Sequence, residues 1–251
     1  MTINVLSSVR TLNVEVWSDI ACPWCYIGKR RFAAALDSFE HRDQVRVTWR
    51  SFELQPDAEH SSAHPGLTEL AMLSERKGLP VEQVRQMFAQ VTALAAEVGL
   101  AYDFDTVVPA NTFDAHRLVH VAGDLGGADA AAEVVERLMS AHFEHGRVVD
   151  DVDVLVEVAG EAGLDTAAVR VALATDAGAG AVRADEAEAA ALGVQGVPFF
   201  VAGRRLGVSG AQPVEVFARL LAQAWRDANP PLAIPTIAGA ADAEACGPDG
   251  C

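Results

Sequence analysis

Lysine, cysteine and long apolar runs are all scarce in this chain, and each scarcity argues against something. Of 19 basic side chains only Lys29 and Lys77 are lysines, so 17 are arginines, and 35 acidic residues oppose them. The net charge of −16 repels phosphate backbones and anionic lipid surfaces over most of the protein, which argues against nucleic acid and membrane as partners. No run approaches the roughly 18 consecutive apolar residues of a membrane-spanning helix. The first ten residues carry one arginine, Arg10, and no apolar stretch longer than Val5-Leu6, so the pattern of a secretion signal is missing. The expectation is a cytoplasmic protein. Four cysteines in 251 residues are too few for a disulfide scaffold, and in a reducing compartment any disulfide is transient and catalytic.

What is present is a large apolar fraction, 51% of residues, ample for a buried core. Within it Cys22-Pro23-Trp24-Cys25 stands at the junction of two patterns. Residues 12 to 18 alternate as a half-buried strand, whereas Ile27, Phe32, Leu36 and Phe39 recur at helical intervals. Cys22 therefore falls at a helix N-terminus, where unpaired backbone N–H groups favour a thiolate. Cys25, one turn on, lies on the same face and can attack a mixed disulfide formed at Cys22. Deep enclosure of Cys22, or its ligation to an ion, would count against this reading.

Residues 45 to 54 alternate again, giving a second strand parallel to the first, and 55 to 66 read as a loop. From 67 to 192 the pattern is helical throughout, with helices expected near 80–99, 112–125, 128–145, 151–162, 166–174 and 176–192. Strands return at 197–201 and 205–208 as a hairpin, followed by a helix over 213–227. The chain thus divides into 10–66, a helical insertion at 67–192, 193–228, and a tail at 229–251. Without the insertion the order is strand–helix–strand, then strand–strand–helix. That is an α/β thioredoxin fold carrying a large all-α insertion between its βαβ and ββα halves.

The tail ends in a second pair, Cys246 and Cys251, spaced C-x4-C around Gly-Pro-Asp-Gly, a turn that lets the two close on each other. Seventeen flexible residues after Asn229 span roughly 20–25 Å, comparable with a radius of gyration of about 18 Å for a chain this long. The pair can therefore relay electrons to or from Cys22 and Cys25; a passive tail disulfide is the plainer alternative. A four-cysteine zinc site is disfavoured by the loose second spacing and by the strand-to-helix setting of the first pair, so no metal is expected. Asp19, just before the turn, can relay the proton of Cys25 or cap a backbone turn. Trp24 can be a partly exposed substrate platform or a packing residue.

Three segments carry a resemblance. They are Val16 to Gly28 around the cysteine pair, Asn111 to Leu118, and Gly193 to Phe200, with Ser209 to Pro213 fitting as well. In this ordered combination the chain resembles the DsbA-like thiol-disulfide oxidoreductases, and among them the FrnE-like cytoplasmic branch, over nearly its whole length. The resemblance implies a nucleophilic Cys22 faced by a cis proline at Pro198, with Val197 exposing backbone that pairs with an extended substrate. Pro23 and Trp24, beside the thiols, are candidate substrate contacts, and Asn111 and His116, polar residues in one of the matching segments, are candidates for supporting the site. For these last two, helix capping and a satisfied imidazole are the plainer alternatives. FrnE-like relatives can carry a terminal cysteine pair like Cys246 and Cys251.

The function expected is a protein disulfide isomerase or reductase acting on disulfide- or thiol-containing proteins. No bound cofactor is expected, and glutathione or thioredoxin would serve as external electron donor. Two alternatives stand beside it. The similar glutathione-dependent 2-hydroxychromene-2-carboxylate isomerases generally place Ser at the Cys22 position, so both sulfurs here favour redox chemistry; such an isomerase would need a deep pocket for glutathione and an organic substrate. The other is a non-catalytic redox sensor.

Overall fold

A computed structural model describes residues 11–230. Four strands form one sheet in the order β2-β1-β3-β4. β1 (Leu12–Ser18) pairs in parallel with β2 (Val45–Ser51), and antiparallel on its other edge with β3 (Phe199–Ala202), which continues to β4 (Leu206–Ser209). β1 is buried on both faces. Leu12, Val14 and Val16 enter the main core, while Trp17 joins Ala189, Val194 and Val201 in a smaller one.

Helix α1 (Pro23–Asp37) follows β1 and packs on α8 (Val214–Ala228). The ring of Phe32 on α1 reaches Phe200 of β3 and Phe217 of α8, at 5.3 and 5.7 Å between centroids. Between β2 and β3 stand six helices: α2 (Glu69–Lys77), α3 (Val81–Ala96), α4 (Phe113–Phe143), α5 (Val152–Glu161), α6 (Thr166–Leu173) and α7 (Ala179–Ala191). This is the thioredoxin fold with a helical insertion that the residue pattern implied.

Three local outcomes differ from the expected pattern. The second strand stops at Ser51, because the Leu54 N–H turns aside to donate to Asp19 Oδ2 at 2.7 Å. The helices expected at 112–125 and 128–145 run into one element broken at Gly127, whose φ of 81° and ψ of −172° no helical residue adopts. Helix α2, unresolved within the expected helical stretch, is capped by the Thr68 hydroxyl and ended by left-handed Gly78.

The insertion is fastened to the sheet by buried charge. Arg50 of β2 pairs with Glu15 of β1 at 2.5 Å and with Asp185 of α7 at 2.8 Å. His120 of α4 and the Ser51 N–H approach the other Asp185 oxygen at 3.0 and 2.9 Å, and Trp17 Nε1 donates to the Asp185 carbonyl. Burial pushes the Asp185 carboxyl up, but these partners outweigh it and hold it below its usual range.

Candidate active site

Cys22 ends the turn after β1 in an extended conformation and caps α1, with Pro23 in the first helical turn, where its missing N–H costs nothing. The turn closes through the Cys22 N–H to the Asp19 carbonyl at 3.2 Å and the Cys25 N–H to the Cys22 carbonyl at 3.0 Å. Both cysteines are free thiols. Cys25 is 1% exposed, and burial, then the neighbouring Cys22 sulfur, push its thiol well above the usual range. Cys25 is thus held as a protonated thiol.

The Cys22 sulfur lies 3.8 Å from the Val197 carbonyl oxygen, and the Val197–Pro198 bond is cis. Pro198 approaches α1 so closely that a Cβ on Gly28 would meet Pro198 Cγ at 2.9 Å. Only glycine fits at that position without displacement.

Asp19 is 2% exposed, and its oxygens accept from the N–H groups of Leu54 at 2.7 Å and Ala21 at 3.3 Å. His116 Nε2 stands 3.4 Å from Oδ1, close but not aligned as a hydrogen bond. Burial pushes Asp19 up; His116, the Leu54 N–H and Thr112 together prevail and hold it below the usual carboxylate range. Asp19 thus caps the turn and pairs with the His116 side chain, and no distance ties its carboxylate to Cys25. Asn111 serves architecture: its Oδ1 accepts from the Phe113 N–H at 2.9 Å, capping α4, and its Nδ2 donates to the Ala58 carbonyl at 2.7 Å.

Three neighbours of the dithiol carried no signal in the sequence. The buried Ser18 hydroxyl makes no regular hydrogen bond yet sits where it favours the Cys25 thiolate. Tyr102 donates its hydroxyl to the Pro23 carbonyl at 2.7 Å, tying α1 to the insertion. His142, at the end of α4, is 2% exposed and hydrogen-bonds to none of the described residues; burial drives its pKa down to about 4, so the ring is neutral. α1 is clamped further by Glu136 of α4, which accepts from Tyr26 at 2.6 Å and pairs with Lys29 and Arg30.

Trp24 is 43% exposed, whereas Cys22 is only 4% exposed, more enclosed than an open surface thiol. Cys22 is nevertheless reached by space: it lines a cavity of about 560 Å³ between the active-site turn, the loop after β2, and helices α2, α3 and α4. Trp24, Leu54 and Met87, all partly exposed, mark its mouth. Cys246 and Cys251 lie outside the described residues. Among the described residues no group of His, Cys, Asp or Glu is gathered for a metal ion, and no helix is long and apolar enough to cross a membrane.

A crystal structure of a protein described as a probable DsbA oxidoreductase from Streptomyces coelicolor is 46% identical, with a TM-score of 0.80 over 96% of this chain and 98% of that one. The Bacillus subtilis protein YwbO is 28% identical over 84% of this chain and 96% of its own length. A 2-hydroxychromene-2-carboxylate isomerase shares the fold at 17% identity and a TM-score of 0.60, covering 86% of this chain and 97% of its own. The model of the DSBA-like thioredoxin domain matches residues 13–222, and the chain belongs to that family of thiol-disulfide oxidoreductases.

Proposed function

We propose that this protein reduces or isomerises disulfides in other proteins through Cys22 and Cys25, as a cytoplasmic enzyme of the FrnE-like branch. Cys22 attacks a substrate disulfide, expels one sulfur as a thiolate and holds the other in a mixed disulfide. Cys25 then loses its proton and attacks Cys22, releasing the second substrate thiol and leaving a Cys22–Cys25 disulfide. Glutathione or thioredoxin returns the two electrons. The observation that carries this reading is the meeting of the Cys22 sulfur with the Val197 carbonyl beside Pro198, where an extended segment can add as a strand and lay its sulfur over Cys22. Pro23 and the exposed Trp24 flank that path, Asp19 and His116 hold the turn beneath it, and Asn111 fixes the helix from which His116 projects.

Cys246 and Cys251 are assigned, on spacing and reach, as a relay that exchanges with the Cys22/Cys25 pair. Reduction of insulin by the full chain, compared with its Cys22→Ser variant, tests the central assignment; equal rates would defeat it. The relay is tested apart by Cys246→Ser/Cys251→Ser, for which slower turnover or isomerisation is expected.

The cavity beside Cys22 offers the organic-substrate pocket that a second reading needs, a glutathione-dependent isomerase or transferase of small molecules, while its apolar stretch gives glutathione itself little to pair with. Loss of Cys25 separates the two, since an isomerase needs no resolving sulfur and would keep its turnover.

A further inference from the structure

We propose that the cavity beside Cys22 binds low-molecular-weight disulfides with uncharged apolar substituents, and that the protein reduces these in preference to glutathione disulfide. The proposal rests on Cys22 being the nucleophile, as argued above.

Size is the first ground. About 560 Å³ exceeds what one protein side chain fills and lies within the range of small-molecule sites. The wall is the second. Leu73 of α2, Phe88, Val91 and Leu94 of α3, and Phe143 of α4 present side chains with no hydrogen-bonding group. Gln55, Ser61, His64 and Gln90 add polar groups to the lining, but along the apolar stretch the carboxylates, ammonium groups and amides of glutathione disulfide would find no partner, which binding penalises. Charged side chains of both signs line it, Asp19 and Glu59 against Arg76 and Lys77, while burial pushes the Glu69 carboxyl up to about 7 so that it is only partly ionised at neutral pH; the set selects no strong net charge. The third ground is His142, which lines the same cavity almost fully buried and without a hydrogen-bond partner among the described residues. A buried polar group left open in this way fits a ligand that brings one polar atom, such as a ring nitrogen or hydroxyl.

The chemistry balances without a further reagent in one turnover. The Cys22 thiolate attacks R–S–S–R, forming Cys22–S–S–R and releasing R–S⁻. Cys25 gives its proton to solvent or to the departing thiolate, then attacks Cys22 and frees the second R–S⁻. Two electrons pass from the dithiol to the substrate, and an external dithiol or two monothiols restore the enzyme.

The test mixes the reduced full chain with 2,2′-dithiodipyridine, bis(2-hydroxyethyl) disulfide or oxidised glutathione, quenches in acid, and follows modification of Cys22 by peptide mass spectrometry. With the aryl disulfide the rate is expected to saturate with concentration. Leu73→Trp, which fills the cavity from α2, is expected to lower the ratio of aryl to hydroxyethyl rates at least tenfold. Because each probe has its own leaving group, only the change in ratio between proteins counts. A ratio altered less than twofold in a folded variant overturns the proposal. Independently of any variant, 2-naphthol is expected to protect Cys22 of the unaltered protein from iodoacetamide in a saturable manner, and absence of protection also overturns it. If no disulfide modifies Cys22 at all, the nucleophile assignment fails, and that outcome is distinct from a cavity that does not discriminate.

Discussion

The sulfur of Cys22 and the carbonyl oxygen of Val197 stand 3.8 Å apart, so the proposed nucleophile and the backbone edge proposed to receive substrate converge on one point. Cys25→Ser should therefore retain the first attack and lose the second, accumulating a mixed disulfide on Cys22 that non-reducing mass spectrometry detects. Because Cys22 is 4% exposed and reached through a cavity, iodoacetamide should label it at neutral pH far faster than a bulky maleimide. Equal labelling rates would contradict the enclosed geometry, and no labelling would contradict the nucleophile.

Gly28→Ala places a methyl group 2.9 Å from Pro198 Cγ. Overpacking of this kind costs about 1–3 kcal/mol. The more telling result is expected in turnover, since the strain pushes Pro198 and the Val197 carbonyl away from Cys22. Urea denaturation and insulin reduction measured on the same sample separate the two effects; lost stability with unchanged turnover would show that the contact only packs.

Acid should weaken the fold through His142. Its ring has a folded pKa of about 4 against 6.5 when free, so between these values the unfolded chain binds a proton that the folded protein refuses. Stability falls as pH drops from about 6.5 to about 4, by about 3 kcal/mol in total from this group. His142→Leu removes that slope. Parallel stability curves for the two proteins over this window would refute the assignment.

Asp19 acts in the same sense at lower pH, since its folded carboxyl also refuses a proton that the unfolded chain binds. Its carboxyl lies below the usual range when folded, so the stability it contributes is present above the unfolded value near 3.9 and is lost as pH falls below it. Asp19→Asn should cost about 1–3 kcal/mol, because one of the two oxygens that the Leu54 and Ala21 N–H groups use becomes a donor. Combined with His116→Gln, the loss should be smaller than the sum of the single losses. Strict additivity would mean that the 3.4 Å approach carries no coupling.

Much of this was legible locally. The alternation of residues 12 to 18 and the helical spacing after Cys25 placed the dithiol correctly at a strand-to-helix turn, since both patterns are set by neighbours along the chain. The end of β2 was not legible, because Asp19, far back in sequence, captures the Leu54 N–H. Helix α2 gave no stripe because none of its residues is fully buried. The cavity was invisible for a stronger reason: its walls come from α2, α3 and the end of α4, so the enclosure of Cys22 exists only once those helices pack. His142 gave no sign in the sequence, since one histidine in a helical run looks the same whether its ring is satisfied or left open.

The strands on either side of the insertion, β2 and β3, are not neighbours; β1 lies between them. The helical block therefore leaves the sheet on one flank of its central strand and re-enters on the other, and no ladder hydrogen bond spans the detour. Changes confined to α2 and α3 can reshape which molecules gain entry, while α4 and the loop before it keep their hold on the active-site turn through His116, Tyr102 and Glu136. Admission can be adjusted at α2 and α3 without touching the bracing of the turn, which belongs to α4 and the segment leading into it.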